Sequence, residues 1–137
     1  MKDKLIQNLK NYEKALISLE TNIIKIQNMD EEFEDFDIYR DSTIQRFEYS
    51  MEIAKKLMAN YIEFVDAKIP GQKLILKKAF EFDMIDDDIW FEMVDDRNIT
   101  SHEYDEKLAI ELLKKIYIYA IKLRIFHDTI KQMIEAL

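Results

Sequence analysis

The densest group of chemically active side chains lies in Arg97-Asn98-Ile99-Thr100-Ser101-His102-Glu103-Tyr104. An arginine can hold a phosphate through its planar guanidinium, a histidine can exchange a proton near neutral pH, and a tyrosine presents a phenol. On one unbroken helix, Arg97 and His102 would point about 140° apart, because each residue turns the helix by about 100°. A helix break, or a second copy of the chain, is therefore needed to bring the two side chains together.

Local signals predict a helix boundary inside this stretch. Thr100 followed three residues later by Glu103 is typical of a capping box and predicts a helix start at this point. Arg97 would then end one helix and His102 would begin the next. The positive end of the second helix would favour neutral imidazole, the form of His102 that accepts a proton. The alternative is structural, with a helix-end arginine, a polar first-turn histidine and a packed Tyr104, and the spacing alone leaves both open.

Composition predicts the class of protein. The 137 residues are 48% hydrophobic, with one glycine and one proline, which favours a single helical domain over residues 1–137 and disfavours sheets with many tight turns. The absence of cysteine excludes disulfides and thiolate metal sites. No apolar run approaches the length of a membrane span, and the N-terminal segment lacks the apolar core of a signal peptide, so we expect a cytoplasmic protein.

The charge balance limits how the chain could bind nucleic acid. A net charge of −8 argues against a broad phosphate-binding surface, so any contact with RNA has to be local. Acidic residues are concentrated at 30–37 and 83–96. These runs are typical of solvated loops and helix starts, and they could equally face a basic protein partner.

Apolar residues recur every three or four positions over most of the chain, which predicts helices. The first long helix is predicted over residues 3–28. The second is predicted to begin at a possible Ser42–Gln45 capping box, or one turn earlier, and to end at the break at 69–71. The third is predicted to run from the motif to the C-terminus. Short helices are predicted over 72–82 and after the caps at 86–88. The fold class is therefore an all-α, up-and-down bundle of three long and two short helices.

Two further residues could serve either the core or a site. Trp90 could stack on a base and His127 could be catalytic, but their helical spacing beside apolar neighbours favours the core for both. The second predicted long helix is apolar around so much of its circumference that it is either central or serves two interfaces. The last helix also has a wide apolar face. These two faces predict a homodimer with the two motifs facing each other.

The Arg-x4-His-x-Tyr pattern, with Asn98 directly after Arg97, resembles the signature of the HEPN superfamily. It is most similar to the small HEPN proteins that pair with minimal nucleotidyltransferases and are also called nucleotidyltransferase substrate-binding proteins. Residues 40–49 resemble the second helix of that family, and residues 89–98 resemble the approach to its motif. Two positions depart from the pattern: Lys55 stands where a tryptophan is expected, and Phe82 or Asp83 stands where a glycine is common.

The resemblance implies a ribonuclease toxin that needs no metal or cofactor. His102 would act as general base on a ribose 2′-hydroxyl, Arg97 would stabilise charge on the scissile phosphate, and Asn98 would orient one of them. The partner would be a minimal nucleotidyltransferase antitoxin encoded nearby, which transfers AMP to Tyr104. The main alternative is a non-catalytic subunit that presents substrate to the nucleotidyltransferase. A structural helical adaptor is a third possibility.

Overall fold

The computed structural model describes residues 2–68, 70–100 and 105–137, without the side chains of 99 and 100. Its elements, in chain order, are α1 (Lys2–Gln27), α2 (Phe36–Asp66), a 3-10 turn (Gln72–Leu74), α3 (Ile75–Glu81), α4 (Ile89–Thr100) and α5 (Glu106–Glu135). Within these described ranges the chain forms three long and two short helices and no strand. The predicted all-α bundle is confirmed.

The three long helices enclose most of the core. Apolar residues at the predicted three-four spacing are buried on α1, α2 and α5, among them Leu16, Phe47 and Ile130. The α1–α5 contact also contains a buried polar link, in which the Tyr12 hydroxyl donates to the Leu123 carbonyl over 2.7 Å. Burial raises the Tyr12 pKa well above its usual value. Each large apolar side chain removed from water contributes about 1.5–3 kcal/mol, so this interior supplies the main driving force for folding.

Helix α2 occupies the centre of the bundle. It packs against α1, α3, α4 and α5. The apolar residues from Ile44 to Ile62 that face α1 and α5 are buried, whereas Ile53 and Phe64 are only partly buried against the core and Val65, near the end of the helix, is 41% exposed. Of the two explanations for its wide apolar surface, the central position in the bundle is the one that the structure shows.

The possible cap at Ser42 is wrong, because α2 begins at Phe36, earlier even than the alternative start one turn before Ser42. Ser42 lies inside it, and its hydroxyl accepts a hydrogen bond from Arg46. The earlier start follows from tertiary packing: Phe36 is buried in a small apolar cluster with Ile26 of α1 and Leu113 of α5. Burial of that ring holds the first turn of α2 in place without a side-chain cap.

Two non-glycine residues adopt the left-handed backbone conformation. Ala67, with φ of 58°, follows the last residue of α2, and its N–H donates to the Glu63 carbonyl over 2.8 Å. Helix α2 therefore ends at Asp66, three residues before the predicted break. Asp83, with φ of 59°, follows α3 at one of the two positions where the family pattern has a glycine. Aspartate tolerates this conformation better than most residues, which explains how the chain turns there without glycine.

Trp90 and His127 both lie in the core, as predicted. Trp90 is 2% exposed and meets the ring of Phe126 edge-on at 5.6 Å. His127 is 4% exposed, stacks on Tyr12 at 6.2 Å, and places Nδ1 2.9 Å from Asp128 Oδ1. These contacts assign both side chains to packing.

Across the described part of the chain, none of the helices combines the length and apolar character needed to cross a membrane.

Candidate functional site

Arg97 and Asn98 lie in the last turns of α4, and the start of this helix is fixed by the predicted acidic cap. Asp87 Oδ1 accepts from the Ile89 N–H over 3.0 Å, and Asp87 Oδ2 lies 2.7 Å from Lys122 Nζ on α5. The hydrogen bond from Lys122, followed by that from the Ile89 backbone, lowers the Asp87 pKa. One carboxylate thus caps α4 and ties it to α5.

The C-terminal half of α4 is tied to α5 by a second polar group, one residue before Arg97. The Tyr119 hydroxyl donates to Asp96 Oδ2, and Lys115 Nζ lies 3.3 Å from the same oxygen. Lys115 also reaches Glu92 Oε1 at 3.2 Å. Burial, and then the hydrogen bond to Asp96, raise the Tyr119 pKa. The ring stacks on Phe47 at 5.6 Å, so this link connects the turn that carries Arg97 to the bundle core.

Tyr119→Phe is expected to lower the free energy of unfolding by roughly 1–2 kcal/mol, because it keeps the ring and removes a partly buried donor to a carboxylate. The measurement is urea unfolding at pH 7. Tyr49→Phe is the matched control, since Tyr49 is an exposed tyrosine on α2 and its change should stay within about 0.5 kcal/mol. Equal effects of the two substitutions would contradict a structural role for the Tyr119–Asp96 hydrogen bond.

The Arg97 guanidinium reaches from α4 to α2. Its Nη2 donates to Glu52 Oε1, across 45 positions of sequence. The Arg97 side chain is 24% exposed, whereas that of Glu52 is 57% exposed. The guanidinium is therefore held between two helices and is partly exposed.

A cavity of about 500 Å³ opens beside Arg97 and Asn98. Residues from α2, the 3-10 turn, α3 and α4 line it: Met51, Glu52, Lys55, Lys56, Ala59, Asn60, Gln72, Ile75, Val94, Arg97 and Asn98. Burial, and then the nearby charge of Arg97, lower the Lys55 pKa. The arrangement is suited to binding an anion, because three cations share its wall with one carboxylate.

The predicted helix start at Thr100 is wrong. Thr100 ends α4, and α5 begins at Glu106 with Asp105 as its N-cap. Asp105 Oδ1 accepts from the Leu108 N–H over 2.8 Å. This cap lies directly before the buried row of α5, which starts at Ala109. The position of Arg97 at the end of a helix is confirmed, whereas the predicted positions of His102 and Tyr104 lie outside the described residues.

The sequence interpretation anticipated Arg97 and Asn98 but not the contribution of α2. Glu52, Lys55, Lys56 and Asn60 fall at helical spacing on one side of that helix. This polar row beside the apolar rows is the sequence feature that could have indicated a contribution of α2 to the site. It could not be connected to Arg97 before the packing of α4 against α2 was known.

Comparison with known proteins gives two matches that span the bundle. A family described as "Nucleotidyltransferase substrate binding protein like" matches residues 7–132. The chain is also similar to "Probable ribonuclease HepT" of Haemophilus influenzae, with 30% identity over 96% of this chain and 96% of that protein. Both matches include α2 and α4, the two helices that form the Arg97 cavity.

Proposed function

Because the chain belongs to the nucleotidyltransferase substrate-binding-protein-like family of the HEPN superfamily, we propose that it is a metal-independent endoribonuclease. The observation that carries this proposal is the position of Arg97. The residue lies in the wall of a cavity that it shares with two lysines, on a helix that is tied to α5 at its start and one residue before Arg97. The similarity to a protein named as a probable ribonuclease supports RNA cleavage as the reaction.

In the proposed reaction, the RNA supplies its own nucleophile. His102 takes the proton of a ribose 2′-hydroxyl, and the 2′-oxygen attacks the adjacent phosphorus. The new 2′-O–P bond replaces the bond to the 5′-oxygen, which leaves with a proton from imidazolium or water. Arg97 donates to the non-bridging oxygens as their negative charge grows, and Asn98 orients one of the two reacting side chains. The products carry a 2′,3′-cyclic phosphate and a 5′-hydroxyl.

Cleavage of single-stranded RNA is expected to persist in excess EDTA, because no step of this reaction uses a metal ion. The measurement is gel analysis of an end-labelled RNA, with mass spectrometry of the fragments. Each upstream fragment should end in a cyclic phosphate. Activity that disappears in EDTA and returns with Mg²⁺ would contradict the proposed reaction.

The proposed biological setting is a toxin–antitoxin pair in which a minimal nucleotidyltransferase, encoded nearby, neutralises a homodimer of this chain. Exposed apolar side chains support contacts with other proteins. Ile118, Ile121 and Ile125 of α5 are each more than half exposed, and Ile24 of α1 is 61% exposed. In the homodimer the two motifs face each other, which removes the need for Arg97 and His102 of one chain to converge.

A second candidate function is a non-catalytic subunit that presents substrate to the nucleotidyltransferase. The description of the matching family, which names substrate binding, favours it. The two functions differ in one measurable property: a substrate-presenting subunit supports nucleotidyl transfer without cutting RNA, and His102→Ala would leave its activity intact.

A further inference from the structure

We propose that the cavity beside Arg97 is an RNA subsite, in which Lys55 and Lys56 hold the phosphate of the nucleotide next to the cleavage point. This inference rests on the proposed ribonuclease function and extends it. Arg97 would contact the scissile phosphate at the mouth of the cavity, and the two lysines would contact the neighbouring one.

The charges of the cavity wall support an anionic occupant. Lys55, Lys56 and Arg97 give three positive charges and Glu52 gives one negative charge, a balance of +2 in a chain whose net charge is −8. Glu52 already forms an ion pair with Arg97. Among the described residues, neither lysine lies within ion-pair distance of a carboxylate. The site therefore provides the local positive potential that an acidic protein needs in order to bind RNA.

The Lys55 ammonium is destabilised where it stands. Burial lowers the Lys55 pKa, and the positive charge of Arg97 lowers it further. A bound phosphate would oppose the effect of Arg97, because a nearby negative charge favours the protonated amine. A bound anion would thus stabilise the protonated form of Lys55.

The remaining wall of the cavity fits a nucleotide. Its volume of about 500 Å³ lies within the range of about 300–1,000 Å³ that is usual for small-molecule sites. Met51, Ala59, Ile75 and Val94 provide apolar surface. Asn60 also lines the cavity, and its buried Nδ2 has no hydrogen-bond acceptor among the described residues. A buried amide without an acceptor is destabilising, and an acceptor on the nucleotide would satisfy it.

The test is RNA binding in a His102→Ala background, where the oligonucleotide stays intact. Fluorescence anisotropy with a labelled single-stranded RNA decamer gives the Kd at several salt concentrations. Lys55→Met keeps the aliphatic stem and removes the charge, and is expected to raise the Kd about fivefold or more at low salt. The slope of log Kd against log salt should fall by about 0.7, the value per phosphate contact for a single strand. Lys55→Met combined with Lys56→Met should lower the slope by about twice that amount, and Lys55→Arg should bind like the parent.

The matched control is Lys77→Met, which removes the same charge from an exposed position on α3 outside the cavity. It should leave both the Kd and the slope nearly unchanged. If the Lys55 variants behave like Lys77→Met while the protein with an intact His102 cuts RNA, the subsite is refuted and the ribonuclease function stands. If the parent neither binds nor cuts RNA, the proposed function and the subsite are both refuted.

Discussion

Arg97→Ala and His102→Ala are each expected to abolish RNA cleavage and growth arrest while leaving the melting temperature nearly unchanged. Loss of a general base costs about 10²–10⁴ in rate, and loss of the guanidinium removes charge stabilisation at the phosphate. The fold should survive the Arg97 change, because the carboxylate of its partner Glu52 is largely exposed and such ion pairs contribute little to stability. Arg97→Lys should recover only part of the activity, since a lysine cannot make the planar bidentate contact.

The control for Arg97 is Lys78, which forms an ion pair with Glu81 on α3 over 3.2 Å. Lys78→Ala removes an ion pair at a residue that does not line the cavity and should retain cleavage. Full toxicity of His102→Ala would refute the ribonuclease assignment. Unfolding of the Arg97 and His102 variants, while Lys78→Ala stays folded, would assign the motif a structural role instead.

Mixing the two inactive variants tests whether the proposed site is shared between subunits. If Arg97 of one chain acts with His102 of the other, half of the randomly formed dimers contain one intact site out of two, and about a quarter of the activity should return. A monomer by light scattering at micromolar concentration, or a mixture that stays inactive after chain exchange, would contradict the shared site.

Tyr104 is expected to gain one or more AMP units when the chain is co-expressed with the minimal nucleotidyltransferase proposed as its partner, and the modified protein should lose cleavage. Transfer forms a bond between the phenol oxygen and the α-phosphate of ATP and releases pyrophosphate. The added phosphate is an anion seven residues from Arg97, where it would compete with RNA for the guanidinium. Inhibition is therefore expected to be competitive and to require no change of fold.

Intact-mass spectrometry measures the modification directly. Tyr104→Phe should show no mass increase, whereas Tyr49→Phe, which changes an exposed tyrosine of α2, should be modified like the parent. A mass increase that persists in Tyr104→Phe would refute the assignment of the site. No increase in the parent would mean that Tyr104 is not a target of the partner.

The sequence by itself determined the class of fold and most of its elements. Rows of apolar residues at three-four spacing impose helices, because only that period puts them all on one face to be buried. The same spacing predicted the core positions of Trp90 and His127, and the acidic residues at 86–88 predicted the helix start that Asp87 caps. Arg97 was placed at a helix end by the Thr100 capping box, and that place is correct although the helix start assigned to Thr100 is wrong. These features depend on neighbours within a turn or two, which spacing alone can reveal.

Tertiary structure decided the features that depend on distant residues. Helix α2 begins at Phe36 because that ring packs against Leu113 of α5, and Ser42, the predicted cap, falls inside the helix. Glu52 meets Arg97 because α4 packs on α2, which also brings Lys55 to the Arg97 cavity. Many arrangements of five amphipathic helices bury the same apolar rows, so the spacing of apolar residues could not predict which arrangement brings Glu52, Lys55 and Arg97 together. These side chains meet because α2, α3 and α4 pack against one another.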